Sequence, residues 1–502
     1  MESLAAALTS LADPAILAIL IGGTAAGILI GAMPGLGSVL AITLALPLTF
    51  VMGPEPSIAL LLGLYAGSVY GGSLSAILIN TPGTPQAAAT VFDGYPMMQQ
   101  GKGDLALGWA TVASTIGGII SVLVLILAAP LLARFGLKFG PVEYFALGLF
   151  ALTCVVSVSR ENLLKGGLAC CLGLIAATIG QDPLTGDVRL HFSSFNLMAG
   201  IALVPFLVGL FALSEVFWRV AQRDGAATPP ASATGFRFPP LGDMARRWRV
   251  FGKSAMIGTW IGTLPGVGAT ASSMVSYAEA KRSSPNRANF GKGEPDGIVA
   301  SETANNAVTG GALVPTLSLG IPGDPITAVM LGALIIQGIT PGPRLFVEHA
   351  DLMTFIFAAL LVVNVSLIVL GALMGPVFAR AIRAPEPVLL AIIVVLLAIG
   401  TFSINSNGFD LLVMLASGVL GFFMRVLRFP LAPMVIGFVL GPMIEQSLRQ
   451  GMVIARGDFV FFLQQPIALV LFIASAVFLT WSAVRHWSER RASTHTNQGS
   501  AP

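Results

Sequence analysis

Apolar runs recur along the whole chain, separated by short polar loops. They lie at 15–50, 57–80, 105–133, 141–158, 163–180 and 198–218, and again at 254–280, 297–320, 352–375, 387–403, 409–424, 431–444 and 466–484. An apolar helix of about 20 residues spans a hydrocarbon core about 30 Å thick. The pattern therefore predicts an all-α polytopic membrane protein. Two runs are interrupted by one motif, G-x-x-P-G-x-G. The first copy is Gly31-Ala32-Met33-Pro34-Gly35-Leu36-Gly37 and the second is Gly262-Thr263-Leu264-Pro265-Gly266-Val267-Gly268. Proline removes a backbone donor and clashes with the preceding turn, and glycine admits φ > 0. Each copy predicts a broken or re-entrant helix. In lipid, such a break persists only where it is buried in protein or lines a wet cavity.

Further landmarks follow each copy in the same order. Gly71-Gly72 precedes a second break, Asn80-Thr81-Pro82-Gly83-Thr84-Pro85. Gly310-Gly311 precedes Gly320-Ile321-Pro322-Gly323-Asp324-Pro325 at almost the same interval. This predicts two membrane repeats, 1–218 and 254–485. Residues 219–253 carry Arg219, Arg223, Arg237, Arg246, Arg247, Arg249 and Lys253 and read as a basic cytoplasmic linker. Residues 486–502 read as a polar, disordered tail. Basic loops flank 254–280 on both sides, and each of its arms is about 13 residues, or roughly 20 Å. That is too short to cross, so the segment is expected to dip into the membrane and return, with its Pro-Gly pair at the tip. The first copy lacks basic flanks and is expected to open to the opposite face. The repeats would then be inverted, as in many secondary transporters.

Composition agrees with this. Of 502 residues, 55% are hydrophobic and only 10% charged, and the mean hydropathy is +0.85. A net charge of +3 leaves no footprint for nucleic acid. Cys154, Cys170 and Cys171 form no C-x-x-C site, and the four histidines are scattered. No metal site, cofactor or catalytic constellation is expected. No basic segment precedes the first apolar run, so no cleavable signal peptide is expected.

Paired breaks at matching places in two halves point to a transporter's binding site. Broken helices expose backbone N–H groups and positive dipole ends, which suit a carboxylate, while freed carbonyls and hydroxyls suit Na⁺. The candidates are Pro34, Gly35, Gly37 and Ser38 in one half, and Pro265, Gly266, Gly268 and Thr270 in the other. The alternative is that the glycines only permit tight packing. Asn80, Thr81, Gly83, Asn305, Asn306 and Gly323 are candidates at the second breaks; the amides could equally bond neighbouring helices. Glu302 lies one turn before the two asparagines. An intramembrane acid is a functional candidate, although Glu294 and Asp296 nearby would also fit an interfacial position. Asp324 could cap the following helix or bind a cation.

Together these motifs resemble the large membrane subunit of the tripartite tricarboxylate transporters. The resemblance runs nearly the whole chain. It rests on the two Pro-Gly motifs, on Tyr70-Gly71-Gly72-Ser73 with Asn80-Thr81-Pro82-Gly83, and on Ser276-Tyr277-Ala278-Glu279-Ala280-Lys281-Arg282. Ala304-Asn305-Asn306-Ala307, Leu319-Gly320-Ile321-Pro322-Gly323, Pro341-Gly342-Pro343, Phe429-Pro430-Leu431-Ala432-Pro433 and Gly437 to Pro442 complete it. The resemblance implies a permease of the bacterial inner membrane with about twelve spans. Its expected partners are a small four-span membrane subunit and a periplasmic solute-binding protein. Import of tricarboxylates or related carboxylates would be driven by symport of a coupling cation, Na⁺ or H⁺. One departure is Ala300-Ser301-Glu302-Thr303, where the family has Ala-Pro-Glu-Ala; the acid is kept. The rival readings are a channel or a scaffold that moves nothing uphill, with a membrane-embedded enzyme third.

Overall fold

Proline sets where many of the helices begin. Its fixed φ suits a first helical position, and its missing N–H would be unpaired there in any case. Pro14, Pro54, Pro141, Pro295, Pro325 and Pro466 each open a helix in this computed structural model, which describes residues 2–158, 163–182, 184–222, 235–381 and 386–498. The helices are α1 (Glu2–Ala12), α2 (Pro14–Ala32), α3 (Gly37–Phe50), α4 (Pro54–Ile79), α5 (Val91–Gln99), α6 (Gly103–Gly136), α7 (Pro141–Val158) and α8 (Leu163–Ala177). Next come α9 (Leu203–Leu207), α10 (Ser214–Gln222), α11 (Leu241–Arg246), α12 (Trp248–Gly262), α13 (Gly268–Ser283), α14 (Pro295–Leu319) and α15 (Pro325–Ile336). The last are α16 (Leu345–Glu348), α17 (Ala350–Ala381), α18 (Glu386–Asn405), α19 (Gly408–Val426), α20 (Leu431–Ile454), α21 (Val460–Gln464) and α22 (Pro466–Gln498). Among the described residues the only sheet is a two-residue antiparallel pair, Gly180–Gln181 with Val188–Arg189.

Among the described residues nine helices are long and apolar enough to cross a membrane, and four shorter apolar ones accompany them. The chain is an all-α polytopic membrane protein. It forms two units that cut across its halves: Met1–Leu137 with Val204–Phe422, and Lys138–Leu203 with Phe423–Pro502.

In the first unit, small residues let backbones touch, which is how helices associate in lipid. Gly23, Gly27 and Gly31 of α2 face the backbone of Leu60, Leu64 and Ser68 on α4. In return, Gly63, Gly67 and Gly71 of α4 face Leu20, Thr24 and Ile28 on α2. The α14 helix is packed in the same way: Gly117 of α6 lies on Thr303, Gly258 of α12 on Ala304, and Gly311 on Thr259. Ile28, Tyr70, Trp109, Phe251, Val299 and Leu367 share one hydrophobic core, so residues from both halves of the chain are buried together.

In the second unit, Gly173 of α8 lies on Met434 of α20, and Gly437 of α20 lies on Cys170. A charge network ties the polar loop after α8 to α20. Arg189 holds Glu445 through two hydrogen bonds of 2.6 and 3.1 Å, and Arg449 bonds both Asp182 and Glu445. The backbone of α22 carries on to Gln498, into the segment that composition reads as a polar tail. Part of the basic linker, 223–234, lies outside the described residues; its beginning belongs to α10 and its end to α11 and α12.

Candidate functional site

Both Pro-Gly motifs break their helices in one and the same way. Between α2 and α3, Gly35 and Gly37 have φ of 82° and 70°; between α12 and α13, Gly266 and Gly268 have 80° and 71°. These left-handed values favour glycine, so the motif's glycines are required by the backbone. The second breaks also correspond: α4 ends on Asn80 with φ 57°, and α14 ends on Gly320 with φ 72°. Asparagine is one of the few side chains that tolerates this region.

Each tip lies on the second break of its own half. The Gly266 N–H donates to the Gly323 carbonyl at 2.8 Å. A Cβ on Gly83 would strike the Gly31 carbonyl. The first tip carries one further group, which its counterpart lacks among the described residues. Arg219 of α10 donates to the Pro34 carbonyl and, through Nε, to Glu215 at 3.1 Å. The sequence places Arg219 in a linker, yet its side chain is only 16% exposed. The π-helical turn at Val208–Leu213 immediately precedes α10. Such turns are frequent at functional sites, but no residue pattern here announces one.

The hairpin of α12 and α13 is closed at its open end by Lys253 and Glu279, 3.9 Å apart. Its arms are 15 and 16 residues long, somewhat longer than the sequence suggests, because α12 starts at Trp248 inside the basic stretch. In the first copy the arms are unequal, with 19 residues in α2 and 14 in α3.

On α14, Glu302, Asn305 and Asn306 are all fully buried. The Glu302 carboxylate accepts from Thr90 and, at 3.0 Å, from Ser114 of α6; Thr90 also meets Ser301 at 3.1 Å. Glu302 is thus enclosed by protein on every side. Asn306 lies at i+4 and its amide reaches the Glu302 carbonyl at 3.4 Å, while its Oδ1 has no partner. Among the described residues, neither polar atom of Asn305 has one. Among the described residues, the Thr84, Thr115 and Thr303 hydroxyls and the Asn364 Oδ1 are likewise buried without partners. Gly117 and Gly118 of α6 bring Thr303 of α14 and Asn364 of α17 against the same stretch. Leaving a buried polar group unpaired costs about 1–3 kcal/mol.

Other expected site residues are placed differently. Asn80 and Thr81 are exposed, and the Thr81 hydroxyl bonds the nearby Ile79 carbonyl at 3.3 Å. Ser38 is buried and, among the described residues, its Oγ has no partner. Asp324 is taken up structurally: Oδ1 accepts from the Thr327 N–H at 2.7 Å and caps α15, and Oδ2 accepts from the Tyr65 hydroxyl at 2.7 Å. A second interior acid, Asp93 of α5, escapes sequence reasoning because it sits in a polar loop. Its Oδ1 accepts from the N–H groups of Gly291, Gly293 and Glu294 at 2.8–2.9 Å, and its Oδ2 from the Tyr277 hydroxyl at 2.8 Å. Beside it, burial and then the charge of Asp296 hold the Glu294 carboxyl above its ordinary range.

The family model described as "Tripartite tricarboxylate transporter TctA family" matches residues 17–436. The chain belongs to that family. It is 37% identical over 449 residues, 89% of each chain, to the "Uncharacterized 52.8 kDa protein in TAR-I ttuC' 3'region" of Agrobacterium vitis. It is also 39% identical over 214 residues to the "Uncharacterized protein in TAR-II ttuC' 3'region" of the same organism, covering 43% of this chain and 88% of that one. No solved structure matches it. The protein is therefore a multi-pass membrane component of a transporter.

Proposed function

We propose that this TctA-family protein is the permease of a binding-protein-dependent secondary transporter that imports tricarboxylates or related carboxylates across the bacterial inner membrane. The observation that carries the reading is the fully buried Glu302, met by hydroxyls and adjoined, among the described residues, by the unpartnered amide of Asn305 and the unpartnered Oδ1 of Asn306. Asn305 and Asn306 would donate to a substrate carboxylate. The backbone N–H groups at the tips, around Gly35, Gly37 and Gly268, would complete the anion site, with Gly266 holding its tip in place through Gly323. Glu302, with the Thr90 and Ser114 hydroxyls, is an all-oxygen set that suits a coupling Na⁺ or a proton. The family resemblance supports the partners, a small membrane subunit and a periplasmic binding protein. The matching breaks support two repeats, 1–218 and 254–485, inverted about the membrane.

The test is uptake by the reconstituted transporter, with and without an ionophore. Accumulation against a gradient that the ionophore abolishes is expected; uptake that only equilibrates would mean a channel. Asn306→Ala should raise the apparent KM for substrate by roughly 5- to 150-fold, the loss of one buried hydrogen bond. Glu302→Gln should change the dependence on coupling ion. Wild-type values in both would place the site elsewhere.

A further inference from the structure

Away from the buried cluster, a cavity of about 530 Å³ opens at the base of the second hairpin, between α11–α12 and α13. Its charges do not balance. Arg247 is bound to Asp296 at 2.7 Å, Lys253 faces Glu279 at 3.9 Å, and Arg246 faces Asp243 at 3.6 Å. That leaves Arg249. Its guanidinium lies 5.4 Å from the Trp248 ring centre, and among the described residues no acid is paired with it. The two looser pairs leave donors free as well, since an ammonium offers three and a guanidinium five.

The cavity borders an apolar surface. On α12, Trp248, Met256 and Trp260 follow one another at multiples of four residues and are 65%, 57% and 70% exposed. They form one stripe of the helix. Tryptophan with arginine at the end of an apolar helix is the composition of the headgroup level of a bilayer. A soluble anion would need the cations but not the adjoining stripe.

We infer that this cavity binds the phosphate of an anionic phospholipid headgroup. Arg249, with Lys253 and Arg246, surrounds the phosphate, and the acyl chains run along Met256 and Trp260. Nothing in this depends on the transport reading, because none of these residues belongs to the Glu302 cluster or the hairpin tips.

Native mass spectrometry of the full chain, released from nanodiscs with equal phosphatidylglycerol and phosphatidylcholine, tests it. Retention of phosphatidylglycerol in preference to phosphatidylcholine is expected. Arg249→Gln and Lys253→Gln should each weaken that retention about fivefold, the worth of one basic residue near an anionic surface. Arg249→Lys should restore most of it. Arg249 is exposed, so its replacement leaves the fold intact. Equal retention of the two lipids, or undiminished phosphatidylglycerol in both Gln variants, would overturn the proposal. So would displacement of the lipid by inorganic phosphate, which would mark a site for soluble anions.

Discussion

The N–H of Gly266 donates to the carbonyl of Gly323 at 2.8 Å. One Pro-Gly break therefore holds another, and the tip of the hairpin is fixed just past the end of α14. Gly266 can do this because its φ is 80°. Valine at that φ would be strained by roughly 1–2 kcal/mol. Gly266→Val is expected to abolish uptake while the protein stays inserted, as checked by vesicle transport and by quantifying the membrane fraction. Gly35→Val should do the same, since a side chain there would also collide with Arg219. Wild-type uptake in both, at equal expression, would leave the tips as packing features.

The Tyr65 hydroxyl joins α4 to the start of α15 through Asp324, and both residues are buried. Tyr65→Phe removes the donor but keeps the ring, so the carboxylate loses one buried bond, at a cost of about 1–3 kcal/mol. The apparent Tm in detergent should fall by a few degrees. Unchanged stability would show that water replaces the hydroxyl.

The fold class and the four breaks were legible in the sequence because lipid imposes long apolar runs and only proline and glycine interrupt them cleanly. Glu302 and the two asparagines stood out as polar residues in such a run. Arg219 did not, since a basic stretch after an apolar span reads as linker whether or not one residue folds back onto Pro34. Ser114, Thr115 and Asn364 were hidden for another reason. Single small polar groups inside a span commonly bond their own helix, as the Asn364 Nδ2 does to Leu360 at 2.7 Å. Only packing shows which of their remaining atoms go without a partner. The exposure of Asn80 was equally out of reach, because its motif is shared with the buried Gly83 three residues on.

In the second unit, Asp182 gives a pH-dependent prediction. The Leu184 N–H at 2.9 Å is the main cause holding its carboxyl down to about 2 from the usual 3.8, and Thr185 and Arg449 add to it. A carboxyl lowered by folding contributes stability above its ordinary pKa, and that contribution is lost as pH falls through the folded value. The loop over 180–189 should thus keep its hydrogen-exchange protection, corrected for intrinsic rate, from about pH 8 down to pH 5. Asp182→Asn should raise exchange there at neutral pH. A loop whose protection already declines between those limits would contradict the assignment.

The hairpin's place in the membrane can be tested at its open end. Lys253 and Glu279 sit 3.9 Å apart across α12 and α13, so the two arms run side by side towards their polar ends, where Lys281 follows. Arms of 15 and 16 residues reach roughly 22–24 Å at 1.5 Å per residue, short of a core about 30 Å thick. An arm of that length cannot reach the far side. Single cysteines replacing Lys253 or Lys281 should therefore both react with an impermeant thiol reagent from the cytoplasmic face of oriented vesicles. The native cysteines Cys154, Cys170 and Cys171 are changed to serine first, to clear the background. If the tip binds substrate as proposed, cysteines introduced near Pro265 should lose reactivity when substrate is added. Labelling of the two flanks from opposite sides would mean that 254–280 crosses the membrane, and the inverted arrangement of the repeats would fall with it.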